Sequence, residues 1–147
     1  MNPPSVLLDH SFLAAVADAG DADHDEAVSV YHVLIDDFLA QRHLLVARAD
    51  HLAAVANADL FAPIDKLHVA RQHRNAAEEL VRGTPVDIDV AITLVMIHRC
   101  KVRRVATFDP RLARYDLDII TSVSRDRVGD SADPERVTNS PVAPEIS

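Results

Sequence analysis

Four short apolar runs, SVLLD (5–9), HLLVA (43–47), RRVAT (103–107) and LDIIT (117–121), are separated by segments whose apolar residues recur every three or four positions. Runs of that length read as strands, and the last two are apolar on both faces, as strands covered by helices on two sides must be. The intervening periodicity is helical. Phe12, Leu13 and Val16 form one stripe. Tyr31, Leu34, Ile35, Phe38 and Leu39 form a longer one behind the polar loop DADHD (21–25), which is rich in helix-capping residues. HLAAVAN (51–57) predicts a third helix. Pro63 opens a fourth that runs through KLHVARQHRNAAEELVRG to a stop at Gly83, after which Pro85 breaks the chain. DIDVAITLVMIHRC (87–100), with an Asp at its N-cap and an almost continuously apolar body, predicts a buried fifth helix. Strand and helix thus alternate, which predicts an α/β fold: a three-layer α/β/α sandwich around a mostly parallel central sheet with right-handed crossovers.

At 147 residues with 48% hydrophobic side chains, the chain can build the core of one domain, expected over 1–123. From Ser124 onward Ser, Asp, Pro, Arg and Glu dominate, so residues 124–147 are expected to be a disordered polar tail. No apolar stretch reaches membrane-spanning length, and the start MNPPSVLLDHSF lacks the basic and apolar regions of a signal peptide, so the expectation is a cytoplasmic protein with no membrane association. Cys100 has no cysteine to pair with and fits no signature. A net charge of −8 argues against holding nucleic acid by bulk electrostatics and leaves only local basic sites, around Arg99, Lys101, Arg103 and Arg104 and then Arg111 and Arg114.

In an open parallel sheet the ligand crevice lies outside the carboxyl ends of the strands. Asp9 closes the first run, Asp109 lies two residues past the third, and Asp89 falls in the first turn of the helix that feeds the third. Each also has an ordinary use: Asp9 can cap the next helix, Asp89 suits a helix N-terminus, and Asp109 before Pro110 suits a turn. As a set they converge on one predicted edge. Clustered carboxylates repel unless a cation lies between them, and all-oxygen ligands suit a hard ion such as Mg2+ or Mn2+. Such a site supports hydrolysis of a phosphodiester.

These segments resemble a known family. VLLDHSFLAAV, a polar loop carrying His24, LLVAR, the DVAI at 89–92 and VATFDPRL followed by LDII are similar to a PIN domain, the fold of the VapC-type toxin ribonucleases. The resemblance covers residue 5 to about residue 121. It implies that Asp9, Asp89 and Asp109 hold Mg2+ or Mn2+ and cut RNA, with Thr107 and Ser11 as polar neighbours that orient the acids. It also implies an antitoxin partner and a homodimer. One departure stands out: the family's second acid, a Glu on the helix after the second strand, falls within RADHLAAVANAD, where alanines occupy its place. Asp50 is the nearest acid and a weak metal-ligand candidate, His51 a possible substitute ligand, and Asp59 lies later.

The remaining motifs exclude other chemistries. The histidines form no HxxxH or HExxH pair, and three glycines leave no phosphate-cradling loop or dinucleotide fingerprint. Taken with the resemblance, which implies RNA as the substrate, the acids predict a metal-dependent endoribonuclease, with Arg103, Arg104 and Arg111 as bidentate donors to RNA phosphates. The alternative is a catalytically impaired PIN-like domain that binds RNA or protein, which the missing Glu favours. A third reading is an α/β domain whose aspartates are all caps.

Overall fold

A computed structural model describes residues 3–55 and 58–120, so the predicted tail at 124–147 lies outside the described residues. The elements run β1 (Ser5–Leu8), α1 (His10–Ala17), α2 (His24–Leu39), β2 (Leu44–Arg48), α3 (Ala49–Ala54), β3 (Asp65–Leu67), α4 (Arg71–Gly83), α5 (Ile88–Arg99), β4 (Val102–Ala106) and β5 (Asp118–Ile120). Short 3-10 turns cover Ala58–Phe61 and Leu112–Arg114. All strand pairs are parallel, in the order β3-β2-β1-β4-β5. The chain therefore builds outward from β1 to one side through β2 and β3, then returns to build β4 and β5 on the other.

The alternation of side chains along the strands divides the core into two layers. Val6, Leu8, Leu45, Ala47, Ala106 and Ile120 face the α1–α2 side, where Phe12, Leu13, Tyr31 and Leu34 complete the packing. Leu7, Val46 and Val105 face the other side, against Val90 and Ile97 of α5. Ala77 of α4 packs on Ala91, Ile92 and Met96 behind them. This is the expected three-layer α/β/α sandwich, and the apolar run at 87–100 is the buried helix α5, capped by the Asp87 carboxylate accepting from the Asp89 N–H at 2.8 Å. Among the described residues no helix is long and apolar enough to cross a membrane.

One predicted helix is wrong in its first half. Pro63 opens no helix: Asp65–Leu67 is a strand, paired in parallel with Val46–Arg48, and α4 begins only at Arg71. Two of these three strand residues are exposed. Their extended form comes from completing the open edge of β2, a tertiary gain that overrides local propensity.

Phe12 links the core to the sheet's carboxyl edge. Fully buried, it stacks on Phe108 with ring centroids 6.0 Å apart and meets Tyr31 edge-on at 6.5 Å. Phe12→Ala is expected to lower stability by about 3–5 kcal/mol in urea denaturation.

Candidate active site at the carboxyl edge of the sheet

β1 and β4 are adjacent at the point where strand order reverses, and the cleft opens there. The Asp9 N–H continues the ladder by donating to the Ala106 carbonyl at 3.0 Å, which carries the Asp9 side chain off the strand end. Asp9 occupies the N-cap of α1 but makes no side-chain cap bond. Its Oδ2 instead accepts from the Ser11 hydroxyl at 3.1 Å and the Thr107 hydroxyl at 2.9 Å, while those two oxygens lie 3.0 Å apart. Backbone N–H groups fix both hydroxyls from behind: Phe108 donates to Ser11 Oγ at 2.9 Å and Asp109 to Thr107 Oγ1 at 3.0 Å. A carboxylate only 6% exposed is thus oriented by side chains and left out of capping.

Arg48, whose side chain is 2% exposed, lies behind two residues that line the cleft, Asp89 and Thr93. Its Nε and Nη2 donate to the two oxygens of Asp50 at 3.1 and 2.6 Å, a forked pair. Its Nη1 reaches α5, donating to the Asp89 carbonyl at 3.1 Å and Thr93 Oγ1 at 3.0 Å, and lies 3.0 Å from Asp89 Oδ1. Burial alone would raise the Asp50 pKa, but hydrogen bonds and charge from Arg48, with His51, outweigh it and hold the carboxyl below its ordinary value. His51 is pushed the other way from a simple acid neighbour. Burial and the Arg48 charge lower its pKa despite the pull of Asp9, Asp89 and Asp50, so the imidazole is neutral at neutral pH. Its Nε2 lies 3.6 Å from Asp89 Oδ1, too long for a hydrogen bond.

Asp109 closes the cleft. Its carboxylate is forked onto Arg111, with Nη2 at 2.7 Å and Nε at 3.1 Å, and also accepts the Arg111 backbone N–H at 2.9 Å. The Arg111 hydrogen bond holds the Asp109 carboxyl below its ordinary pKa. Asp9, Ser11, Asp89, Thr93, Asp109 and Arg111 all line a single cleft of about 240 Å3. Arg103 and Arg104 do not: they are the second and third of the five residues of β4, short of its carboxyl end, with Arg104 Nε 3.2 Å from Asp118.

Two solved structures share this architecture. VapC20 from Mycobacterium tuberculosis, described as a toxin that cleaves the sarcin–ricin loop, matches with a TM-score of 0.57 at 18% identity over 76% of this chain and 95% of its own. VapBC2 from Rickettsia felis, solved bound to a DNA fragment from their promoter, gives 0.53 at 12% identity over 79% and 97%. The chain has a PIN-type fold. No family sequence model and no curated protein sequence matches it.

Within this PIN-type fold, the donor chemistry fits a hard divalent cation. Asp9, Asp50, Asp89 and Asp109 face two guanidiniums, Arg48 and Arg111, which leaves at least two negative charges uncompensated. Among the described residues, Asp50, His51 and Asp89 bring one donor atom each to within 4.8 Å of one another. Of that group Asp89 also lines the cleft, which Asp9 and Asp109 enter from the ends of β1 and β4. Carboxylates with one neutral imidazole suit Mn2+ as well as Mg2+.

Arg48 is the buried charged residue beside the cleft that hydrophobic patterning misses. A signal was present: an arginine closing an apolar strand, with an aspartate two residues on in the first turn of the next helix. The pairing generates a stability prediction. Asp50→Ala strips a buried guanidinium of its forked partner and is expected to cost about 2–3 kcal/mol in urea denaturation, less than the ~3–5 of a fully buried pair because Asp50 is half-exposed. Glu78→Ala, on the exposed surface of α4, should cost less than about 0.5 kcal/mol.

Proposed function

We propose that the chain is a Mg2+- or Mn2+-dependent endoribonuclease that cuts RNA phosphodiesters as the toxin of a toxin–antitoxin pair. The observation that carries this reading is Asp9: a buried carboxylate at the switch point of a parallel sheet, aimed by Ser11 and Thr107 and not used as a cap. The likeness to the VapC toxin structures supports the same direction.

In this reading Asp9, Asp89 and Asp109 hold the ion, with His51 and Asp50 beside Asp89. Once bound, the ion supplies a Lewis acid that makes water a better nucleophile and takes up charge on the leaving oxygen. Ser11 and Thr107 fix the direction in which Asp9 presents its oxygens, a supporting role of the kind on which metal affinity depends. Arg111, on the cleft wall beside Asp109, is the guanidinium nearest the scissile phosphate, and Arg103 and Arg104 would meet RNA further from the cut. The activity belongs in the cytoplasm, where its RNA substrate is. An antitoxin and a second copy of the chain are its partners, and exposed apolar side chains such as Leu39 and Ile88 are candidates for cover by them.

Purified protein with Mn2+ should cleave RNA, and Asp9→Asn should lower the rate by at least about 100-fold while the melting profile without metal stays cooperative. Undiminished cleavage by Asp9→Asn would sink this assignment. A second reading is favoured by Arg48, which neutralises Asp50 where another acid would be expected. It describes a PIN-like domain that binds RNA or protein and cuts nothing, and it expects RNA retention without turnover at any Mn2+ concentration.

A further inference from the structure

We infer that Arg48 is an internal counter-ion that limits the cleft to one divalent cation, by neutralising Asp50 and holding one oxygen of Asp89. The inference rests on the reading of the cleft as a Mg2+ or Mn2+ site and concerns how many ions that site takes. Asp50, His51 and Asp89 have donor atoms close enough together to share one cation, yet a cation is already there: the guanidinium, 2.6 Å from Asp50 and 3.0 Å from Asp89.

Two features make Arg48 a fixture of the site. Its side chain is 2% exposed while those of Asp50 and Asp89 are 47% and 52% exposed, so the positive charge is the buried member and the carboxylates reach out from it toward solvent. Its Nη1 is also held by the Asp89 carbonyl and by Thr93 Oγ1, neutral acceptors that an incoming metal ion does not remove. A divalent ion on the same carboxylates would lie a few Å from a fixed charge of the same sign. At about 4 Å, in the effective dielectric of a protein surface, even unit charges repel enough to weaken binding on the order of 1,000-fold. With Asp50 paired to Arg48 and Asp109 to Arg111, the uncompensated negative charge belongs to Asp9, whose two donors are neutral hydroxyls, and to Asp89, which only shares Arg48. The ion therefore binds on the Asp9 side, and Asp89, bordering both the cleft and Arg48, keeps one oxygen paired with the guanidinium. Two-cation phosphodiester chemistry is closed to this chain, with Arg48 standing as the second positive charge.

The test counts Mn2+ bound per folded chain by electron paramagnetic resonance during titration, up to about 100 times the dissociation constant of the first ion. The wild-type chain should bind one ion. Arg48→Met, neutral and of similar length, should bind two, and Arg48→Lys, which restores the charge, should bind one. Two ions on the wild-type chain, two on Arg48→Lys, or a single ion on a folded Arg48→Met would overturn the inference. Where Arg48→Met does not fold, Arg48→Gln, also neutral but able to hydrogen-bond Thr93 and the Asp89 carbonyl, takes its place with the same two-ion expectation. No ion on the wild-type chain overturns the metal-site reading itself and this inference with it, whereas one ion on both wild type and Arg48→Met removes this inference alone.

Discussion

Where β1 and β4 run side by side, with Leu8 opposite Ala106, the chain leaves the sheet in two directions at once. After β1 it turns into α1 beneath one face, and after β4 it turns through Pro110 toward the edge strand β5. Two parallel strands whose exits diverge must leave a gap at their carboxyl ends. The last ladder bond, from the Asp9 N–H to Ala106, sets the first residue beyond β1 against the first residues beyond β4. Asp9, Ser11 and Thr107 meet because of that register, and a one-residue slip would turn Thr107 to the other face of the sheet.

The electrostatics of the cleft follow from which side of the gap each charge occupies. On the β1–β4 side the negative charge of Asp9 is met by hydroxyl groups, which orient it without cancelling it. On the β2–α5 side Arg48 cancels one of the two negative charges that Asp50 and Asp89 bring. Burying a guanidinium costs stability unless its donors are met, and here three groups from α3 and α5 meet them. That network also joins β2 and α3 to α5, which carries the cleft residues Asp89 and Thr93.

The parts of this arrangement that are legible in the sequence are those carried by backbone periodicity. Asp9, Thr107 and Asp109 stand out because they end or follow apolar runs, and Asp89 because a capping aspartate two residues earlier marks the start of α5. Arg48 does not stand out. Its burial depends on partners that lie 41 and 45 residues away, and no local pattern encodes a charged side chain pointing into the core. β3 is hidden for a related reason: three mostly exposed residues carry almost no strand signal, and only the open edge of β2 makes them extended. The arginines proposed to meet RNA are likewise legible only as charges. Their sequence proximity gave no sign that Arg111 would line the cleft while Arg103 and Arg104 would lie short of the carboxyl end of β4.

The central claim is that the gap between β1 and β4 is a cation site organised by Asp9, and the most direct test is thermal unfolding against Mn2+ concentration for the wild-type chain and Asp9→Asn. A ligand bound only by the folded state at 100 times its dissociation constant adds about 2.7 kcal/mol, which for a domain of this size raises the midpoint by about 10 °C. The account predicts that rise for the wild-type chain and its loss in Asp9→Asn. An unmoved wild-type midpoint, or an equal rise in both proteins, would contradict it.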